Sequence, residues 1–366
     1  MKACLSHLKD NLLRDMKLKI EWLFVFVLFM FVLACNGQHK SVDQKDSKIK
    51  SDIKKENTFS ILKDQDQKIN RVVRTIFQDS KGVMWFGTES GAFKLVGDSL
   101  TYLSDILCEY GKRVTIKAIT EDKEGRIWLG HTGGVSRVQS DQVKNFYISD
   151  GLISDDVWHI AADQSGKIWI GTIDGLCFFD GSVFTKFDLP KGERDFSLGV
   201  SSAEMVHQIF VDSSGRLWFS TNAGLFSYAA ESLIHVSKTM GINTTFVNEV
   251  FEASDRTIYV STKDGLYHLK AGKAENITDG KLEKGKGIGS IAEDRAGRIW
   301  FVSNQHFLYT YDQGEIIEFE KSEVNKGPVV FKIYKDQEQR LWFVGFGGAY
   351  RLEDGNFVHV SKYGPW

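Results

Sequence analysis

The chain of 366 residues has only 3 prolines and 4 cysteines, and it lacks an excess of either charge. Its 46 lysines and arginines nearly balance its 48 acidic residues, giving a formal net charge of -2. Without a basic excess, the composition gives no support to nucleic-acid binding. We expect processing to remove Cys4 and lipid to occupy Cys35. Only Cys108 and Cys177 then remain, so a disulfide framework is not expected.

Long apolar runs are also scarce. The prominent one, Trp22 to Ala34, follows Lys17 and Lys19 and is too short to span a bilayer comfortably, but it suits the core of a signal peptide. Val32-Leu33-Ala34-Cys35 resembles the lipobox of bacterial lipoproteins. We therefore predict a signal peptide over residues 1–35 with lipid on Cys35. The alternatives are an ordinary cleaved signal or a short membrane anchor.

Two further assignments follow from this N-terminal prediction. Met16 is a candidate natural start, in which case residues 1–15 are an extension. Residues 36–57 are rich in Lys, Asp, Ser and Gln and have almost no large apolar groups, so we expect them to form a flexible tether. The predicted location is the cell envelope, lipid-anchored to a membrane and facing the periplasm or the cell surface.

The sequence does contain a sevenfold repeat. Each unit has an aliphatic run, an Asp-x-x-Gly turn, an aliphatic-Trp pair and a Gly-Thr-x-x-Gly segment, with departures in some units. The anchor aromatics are separated by 43, 41, 49, 41, 41 and 42 residues, and they are Trp85, Trp128, Trp169, Trp218, Tyr259, Trp300 and Trp342. A period of about 40 to 50 residues with strand-like content is typical of a propeller.

Each unit contains four short β-branched runs with no helical periodicity. In the third unit they are Val157 to Ala162, Lys167 to Gly171, Leu176 to Phe179 and Val183 to Phe187. We predict an all-β fold, a seven-bladed β-propeller of four-stranded antiparallel blades, over residues 58–366. The ring closes either by packing alone, with Asn356 to Val360 as its last strand, or by a strand added from Thr58 to Leu62.

Two residue types recur for structural reasons. The Asp caps a turn through its side chain and the Gly takes the left-handed position. The fifth unit has Asp255-Arg256 and the seventh has Gln339 where this pattern is broken, so we expect looser or differently shaped turns there. The large aromatic occurs at the same strand position in each unit, which indicates packing between blades rather than ligand contact.

The units Ile119 to Gly130 and Ile160 to Leu176, with the lead-in Asp150 to Ser154, resemble the two-component regulator propeller repeat. The resemblance covers residues 71 to 366. It implies a periplasmic ligand-binding sensor propeller, from a family often fused to histidine kinases and often linked to glycan sensing in Gram-negative bacteria. Because this chain ends at Trp366 soon after its last predicted strand, we expect it to lack its own kinase and to rely on a partner for signalling.

Comparison of the repeats with one another suggests a ligand site. If the strand before the Asp turn is innermost, its early residues approach the central channel at one mouth, together with His131, Asp174 and the long loop Leu189 to Glu204. Trp158 stands out because it lies outside the Trp position of the repeat. The candidate ligand-binding residues are Arg74, Lys117, Trp158, His159, His207, Asn248, Glu249 and Lys332.

Three functions fit this arrangement. The first is a sensor that binds a glycan or a polar small molecule at the mouth. The second is a scaffold that docks an envelope protein, which exposed apolar residues on one face would favour. The third is an enzyme like the streptogramin-inactivating lyases, with His159, His207 and Glu249 at a metal, although no metal-binding spacing is present. We expect no cofactor, no metal and no enzymatic activity.

Overall fold

The structure, a computed structural model, describes residues 68–366 except 141, 199, 283–286 and 321–326. It contains seven antiparallel sheets of four strands each, and within every sheet the strands lie side by side in chain order. The predicted seven-bladed β-propeller is confirmed. The predicted signal peptide, Cys35, the tether and the segment Thr58 to Leu62 lie outside the described residues.

Each blade uses four consecutive strands. Their bounds, blade by blade, are β1–β4 at Val73–Gln78, Met84–Thr88, Gly91–Val96 and Ser99–Leu103; β5–β8 at Ile116–Glu121, Ile127–His131, Gly134–Gln139 and Gln142–Phe146; β9–β12 at Val157–Ala162, Ile168–Thr172, Gly175–Phe179 and Phe184–Phe187; β13–β16 at Val206–Val211, Leu217–Thr221, Gly224–Ala229 and Ser232–His235; β17–β20 at Val247–Glu252, Ile258–Thr262, Gly265–Lys270 and Lys273–Asn276; β21–β24 at Ile288–Glu293, Ile299–Ser303, Phe307–Asp312 and Glu315–Glu318; and β25–β28 at Val329–Lys335, Leu341–Phe346, Gly348–Glu353 and Asn356–Val360. The predicted bounds in the third blade are correct to within one residue. A short helix, α1 (Val236–Met240), follows β16.

The first strand of each blade is the innermost. It contacts the first strand of the next blade all the way around the ring, from β1 to β25 and back to β1. The second strands are almost entirely buried, whereas the fourth strands are largely exposed. The described ring therefore has two faces. We call the face where the first strands begin, and where successive blades are connected, the loop face; the opposite one, with the Asp turns, is the turn face.

The core lies between blades, as the repeated aromatic predicts. Trp128 of the second blade is fully buried and packs on Phe179 of the third, with ring centroids 5.7 Å apart. Trp342 of the seventh blade meets Phe86 of the first in an edge contact at 6.0 Å. Gly130 lets the second and third blades approach each other closely, because a Cβ there would lie 2.6 Å from Val157 of the third blade.

The Asp turn and the Trp are joined by a hydrogen bond. In the first blade one oxygen of Asp79 accepts the backbone N–H groups of Lys81 and Val83, and the other accepts the indole N–H of Trp85 at 2.9 Å. The same Asp–Trp bond occurs in the second, third, fourth, sixth and seventh blades. The fifth blade has Ala253 and Tyr259 at these positions, so acceptor and donor are lost together.

The expectation of looser turns in the fifth and seventh blades is wrong. Arg256 donates its backbone N–H to Ala253 and Gln339 donates to Asp336, both at 2.9 Å, as glycine does in the other blades. Both residues adopt a left-handed backbone, with φ of 72° and 65°. The hydrogen bonds of the turn therefore impose the conformation on residues that rarely adopt it.

The ring closes between the seventh and first blades through backbone and side-chain bonds. The backbone N–H of Gly347 donates to the carbonyl of Arg71 at 2.9 Å. Gln337 donates its backbone N–H to Oε1 of Gln78 at 2.7 Å and its side-chain amide to the carbonyl of Asp79 at 2.9 Å. Ser80 and Glu121 make the equivalent contact between the first and second blades. The last sheet contains only β25–β28 among the described residues. A strand from Thr58 to Leu62 stays a prediction.

Candidate functional site

A bulge occurs near the start of every innermost strand. In the first blade Val73 pairs with Thr88 and Thr75 pairs with Gly87, so Arg74 is left between the two pairs. The same shift in register occurs in the other six blades. Bulges redirect side chains and often lie next to functional sites. The bulge positions hold Arg74, Lys117, Trp158, His207, Asn248, Gly289 and Phe331.

Lys117 and Trp158 form one cluster at this mouth of the channel. The ammonium of Lys117 lies 2.5 Å from a carboxylate oxygen of Asp156 and 3.9 Å from the centre of the Trp158 ring. The indole N–H of Trp158 donates to the other oxygen of Asp156 at 3.2 Å. Burial lowers the pKa of Lys117 below its ordinary value, and Asp156 opposes that shift. The indole is thus fixed on one face by a cation and along one edge by a carboxylate.

Arg74 lies beside this cluster. Its side chain is exposed, and its guanidinium lies 4.9 Å from the centre of the Phe331 ring. Phe331 in turn packs edge-on against Phe346, with ring centroids 4.8 Å apart. Arg74 is close enough to Lys117 to contribute to the lowering of its pKa. Exposed cation and aromatic surface therefore adjoin across the first, second, third and seventh blades.

A second cluster spans the channel. Lys332 of the seventh blade forms an ion pair with Glu249 of the fifth at 2.6 Å, passing the sixth blade. The sixth blade carries Gly289 and Ser290 at these ring positions, which leaves room for the pair. Burial, together with the charge of Lys332, lowers the pKa of His159 to about 3, so this imidazole is neutral at pH 7. Its Nδ1 has no hydrogen-bond partner among the described residues.

His207 and Asn248 point toward the next blade. Nδ1 of His207 lies 2.6 Å from the carbonyl of Val247, so Nδ1 must donate the proton. Burial lowers the pKa of His207 to about 4. The amide of Asn248 donates to the carbonyl of Ile288 at 2.7 Å. Of the eight predicted ligand residues, five form the two clusters, Arg74 lies beside the first cluster, and His207 and Asn248 link neighbouring blades.

The structure corrects the placement of one histidine and adds one acid. His131, expected at the mouth, is fully buried and bonds to Oγ of Ser136 at 2.8 Å. Burial lowers its pKa to about 3. Asp156, which orients both Lys117 and Trp158, was missed because it lies before the strand, outside the repeat positions compared. Asp174 of the neighbouring turn accepts a bond from Ser154.

The connections between blades bring apolar side chains to the loop face. Every exposed aromatic among the described residues belongs to this face, either in a connection or at a strand end next to it. Tyr110 is 85% exposed and Phe196, in the long loop Leu189 to Glu204, is 74% exposed. The complete set is Tyr110, Phe196, Phe307, Phe346 and Tyr363. The face thus offers aromatic surface to a ligand or to a protein.

The described residues contain no group of three or more His, Cys, Asp or Glu side chains that could hold a metal ion. The residues considered for catalysis are His159, His207 and Glu249. Two of them have other partners: Glu249 pairs with Lys332, and His207 bonds to the backbone. The mouth can instead offer a charged pair, hydrogen-bond donors and an aromatic surface. Such groups suit recognition of a polar molecule.

The fold and the mouth define a seven-bladed propeller with a polar mouth at the centre of its loop face. Three segments of the chain, residues 67–90, 151–174 and 200–223, match the family model described as two component regulator propeller. The resemblance predicted from the repeat sequence is confirmed. No helix in the described part of the chain is long and apolar enough to cross a membrane.

Parts of this chain are similar to known proteins in sequence or in structure. Histidine kinase P4 of Formosa agariphila is 24% identical over 165 residues, which is 41% of this chain and 12% of the kinase. The extracellular domain of the putative one component system BT4673 from B. thetaiotaomicron superposes with a TM-score of 0.62 at 19% identity, over 76% of this chain and 38% of that one. This chain covers less than two-fifths of the length of either protein.

A streptogramin B lyase structure superposes with a TM-score of 0.60 at 12% identity, covering 78% of this chain and 94% of the lyase. Because the identities to both solved structures are low, these superpositions establish the shared fold alone.

Proposed function

We propose that this protein is a lipid-anchored propeller of the cell envelope that acts as a sensor-type binding module and takes a glycan or another polar small molecule at the channel mouth. The observation that carries the proposal is the fixed orientation of Trp158. Its ring is held by Asp156 and Lys117, and Arg74 is exposed beside it. A preoriented indole next to charged donors binds molecules that have both an apolar face and hydroxyl or charged groups.

The match to the two-component regulator propeller model and the similarity to a histidine kinase support a sensing role. The neutral state of His159 and the paired state of Glu249 and Lys332 support binding over proton-transfer chemistry. A charged ligand group that competes for Lys332 or Glu249 would separate a pair that bridges the fifth and seventh blades. Binding could then be communicated across the ring without any new element.

The test is a thermal-shift screen of the full-length chain against neutral glycans and polar metabolites. We expect a hit whose affinity falls about tenfold in Trp158→Ala, equivalent to about 1.4 kcal/mol, because stacking on the indole is lost. Tyr110→Ala is the matched control, since it removes an exposed aromatic from the same face outside the mouth. A hit that survives Trp158→Ala but not Tyr110→Ala would place the ligand elsewhere and refute the proposed mouth site.

The lipid anchor has a separate test. Metabolic labelling of the full-length chain with a fatty-acid probe should label the wild type and leave Cys35→Ser unlabelled. Cys108→Ser is the control, because Cys108 is a partly exposed thiol in the propeller. Labelling that persists in Cys35→Ser would contradict the anchor and favour a cleaved signal or a short membrane anchor.

A docking scaffold is the second candidate function, and the restriction of exposed aromatics to the loop face supports it. If this face docks an envelope protein through those aromatics, crosslinking in intact cells should give a defined adduct. The adduct should be lost when Phe196 and Tyr363 are both changed to serine and kept in Trp158→Ala. An adduct that depends on neither change would argue against docking through this face.

A further inference from the structure

A cavity of about 410 Å³ lies on the loop face where the seventh blade meets the first. We call it the seam cavity. Four cationic residues and two aromatic residues among those lining it define its chemistry, namely Lys68, Arg71, Arg113, Lys362, Phe93 and Tyr102. They come from the segment before β1, the first blade, the connection to the second blade and the segment after β28. This volume suits a small ligand rather than an extended surface.

Three of the four cations that line the seam cavity, Arg71, Arg113 and Lys362, bring positive charge that no described acidic residue of the lining balances. None of the described residues that line it is acidic. The side chains of Arg71, Arg113 and Lys362 form no ion pair within the described part of the chain, whereas Lys117 and Lys332 at the channel mouth are each paired with a carboxylate. Several cations converging on a concave surface attract an anion because their fields add there. Arginine in particular presents parallel N–H donors that match a carboxylate or a sulfate.

The aromatic wall of the cavity is rigid. The rings of Phe93 and Tyr102 contact each other with centroids 5.1 Å apart, and the Tyr102 hydroxyl donates to the carbonyl of Ser90 at 2.8 Å. The guanidinium of Arg113 lies 5.6 Å from the centre of the Tyr102 ring. Gly91 is required for this arrangement, since a Cβ there would lie 2.9 Å from the Tyr102 ring.

We infer that the seam cavity binds an acidic saccharide, with the carboxylate or sulfate group on Arg71, Arg113 and Lys362 and the sugar ring against the aromatic wall. An inorganic anion would use only the cations, and a neutral sugar would use only the aromatics. The combination of both in one cavity selects a ligand that carries an oxyanion on a ring. This site is built from residues other than those of the channel mouth and goes beyond the neutral or polar ligand proposed there.

The test is calorimetric titration of the full-length chain with trigalacturonate at low ionic strength. We expect binding that weakens as salt is added, because the attraction between exposed charges is screened. The double variant Arg71→Gln, Arg113→Gln should raise Kd at least about tenfold, since hydrogen bonds to charged groups are lost. The backbone carbonyl of Arg71, which accepts a bond from Gly347, is untouched by this change.

Lys270→Gln, Lys273→Gln is the matched control, because it removes the same charge from two exposed residues on the turn face. It should bind like the wild type. If the arginine variant does not fold, judged by its thermal melt, Lys362→Gln alone serves and should still raise Kd severalfold.

Three results with saccharide ligands would overturn the inference: no binding of trigalacturonate, equal loss in the turn-face control, or equal affinity for a neutral galactose trisaccharide. Inorganic phosphate is the last probe. If it binds as tightly as trigalacturonate, the cavity is a simple anion site and the saccharide assignment is wrong. A mouth ligand found with Trp158 would be unaffected by any of these outcomes, so the two proposals fail separately.

Discussion

The Asp–Trp bond, which occurs in six of the blades, leads to a quantitative prediction about the energetic coupling of the two residues. In the fourth blade one oxygen of Asp212 accepts the backbone N–H groups of Ser214 and Arg216, and the other accepts the indole N–H of Trp218 at 2.9 Å. Asp212 is 9% exposed and Trp218 is 4% exposed. We predict that Asp212→Ala and Trp218→Tyr are each destabilising and that their effects are not additive.

The magnitude follows from the partners left behind. Asp212→Ala leaves the buried indole N–H of Trp218 without an acceptor, at a cost of about 1–3 kcal/mol, and removes two backbone bonds worth about 0.5–1 kcal/mol each. It also removes the bond from the exposed Ser214 hydroxyl, which water can replace. The expected loss is therefore about 3 kcal/mol. In the Trp218→Tyr background no indole donor remains, so the same Asp change should cost about 1–2 kcal/mol less. The fifth blade, with Ala253 and Tyr259, already shows this paired loss.

The assay is a double-mutant cycle by equilibrium urea unfolding, which applies if the transition is two-state. The control cycle combines Asp336→Ala with Trp218→Tyr, since Asp336 bonds to Trp342 in the seventh blade and not to Trp218. The control should be additive within about 0.5 kcal/mol. Additivity in the Asp212–Trp218 cycle as well would refute the view that the indole bond links these positions.

Three further predictions concern charge and ring closure. Burial raises the pKa of Asp212, but hydrogen bonds outweigh it and hold the pKa below its ordinary value. The ionised Asp212 therefore stabilises the fold above about pH 4, and this stabilisation is lost as pH falls. The difference in unfolding free energy between the wild type and Asp212→Asn, measured by urea unfolding across pH, should shrink in acid. Gln337→Ala should cost about 1 kcal/mol in thermal melts, because it removes the side-chain bond to the carbonyl of Asp79 and keeps the backbone N–H that bonds to Gln78, while Gln164→Ala at the equivalent position of the third blade should cost almost nothing. Lys332→Met should cost about 1–3 kcal/mol by unpairing Glu249, and adding Glu249→Gln should recover part of it.

The blade architecture could be predicted because it is periodic. Strand content, the turn residue and the packing aromatic repeat with the same spacing, and each has a local physical reason. The third blade shows how far this extends, since its four strands were predicted within one residue. Trp128 and Trp342 lie in the core because a large aromatic that recurs at the same position in every blade packs in the interface that every blade forms with its neighbour.

Other features could not be predicted, because they depend on register or on distance in the chain. Because every repeat contains the same bulge, the spacing between repeats is unchanged. The sequence therefore gives no sign that Arg74 and its equivalents lie at bulges. The ion pair of Glu249 and Lys332 joins residues 83 apart and needs the small residues of the sixth blade between them. His131 occupies a position where four of the other blades have Thr, and only its burial shows that it is structural.

The division between the two faces explains why the candidate sites share one of them. On the turn face, side chains are used by the fold itself: Asp212 caps its turn and bonds to Trp218, and Ser213 bonds to Glu252 of the next blade. A substitution there removes a contact that stabilises the ring. On the loop face the turn between the second and third strands also repeats a bond, from a Thr hydroxyl to a Gly carbonyl in four blades. The bulge positions and the connections between blades carry different residues from blade to blade, so a Trp158 or an Arg113 costs the fold little. Binding residues can therefore accumulate on the loop face while the turn face maintains the propeller.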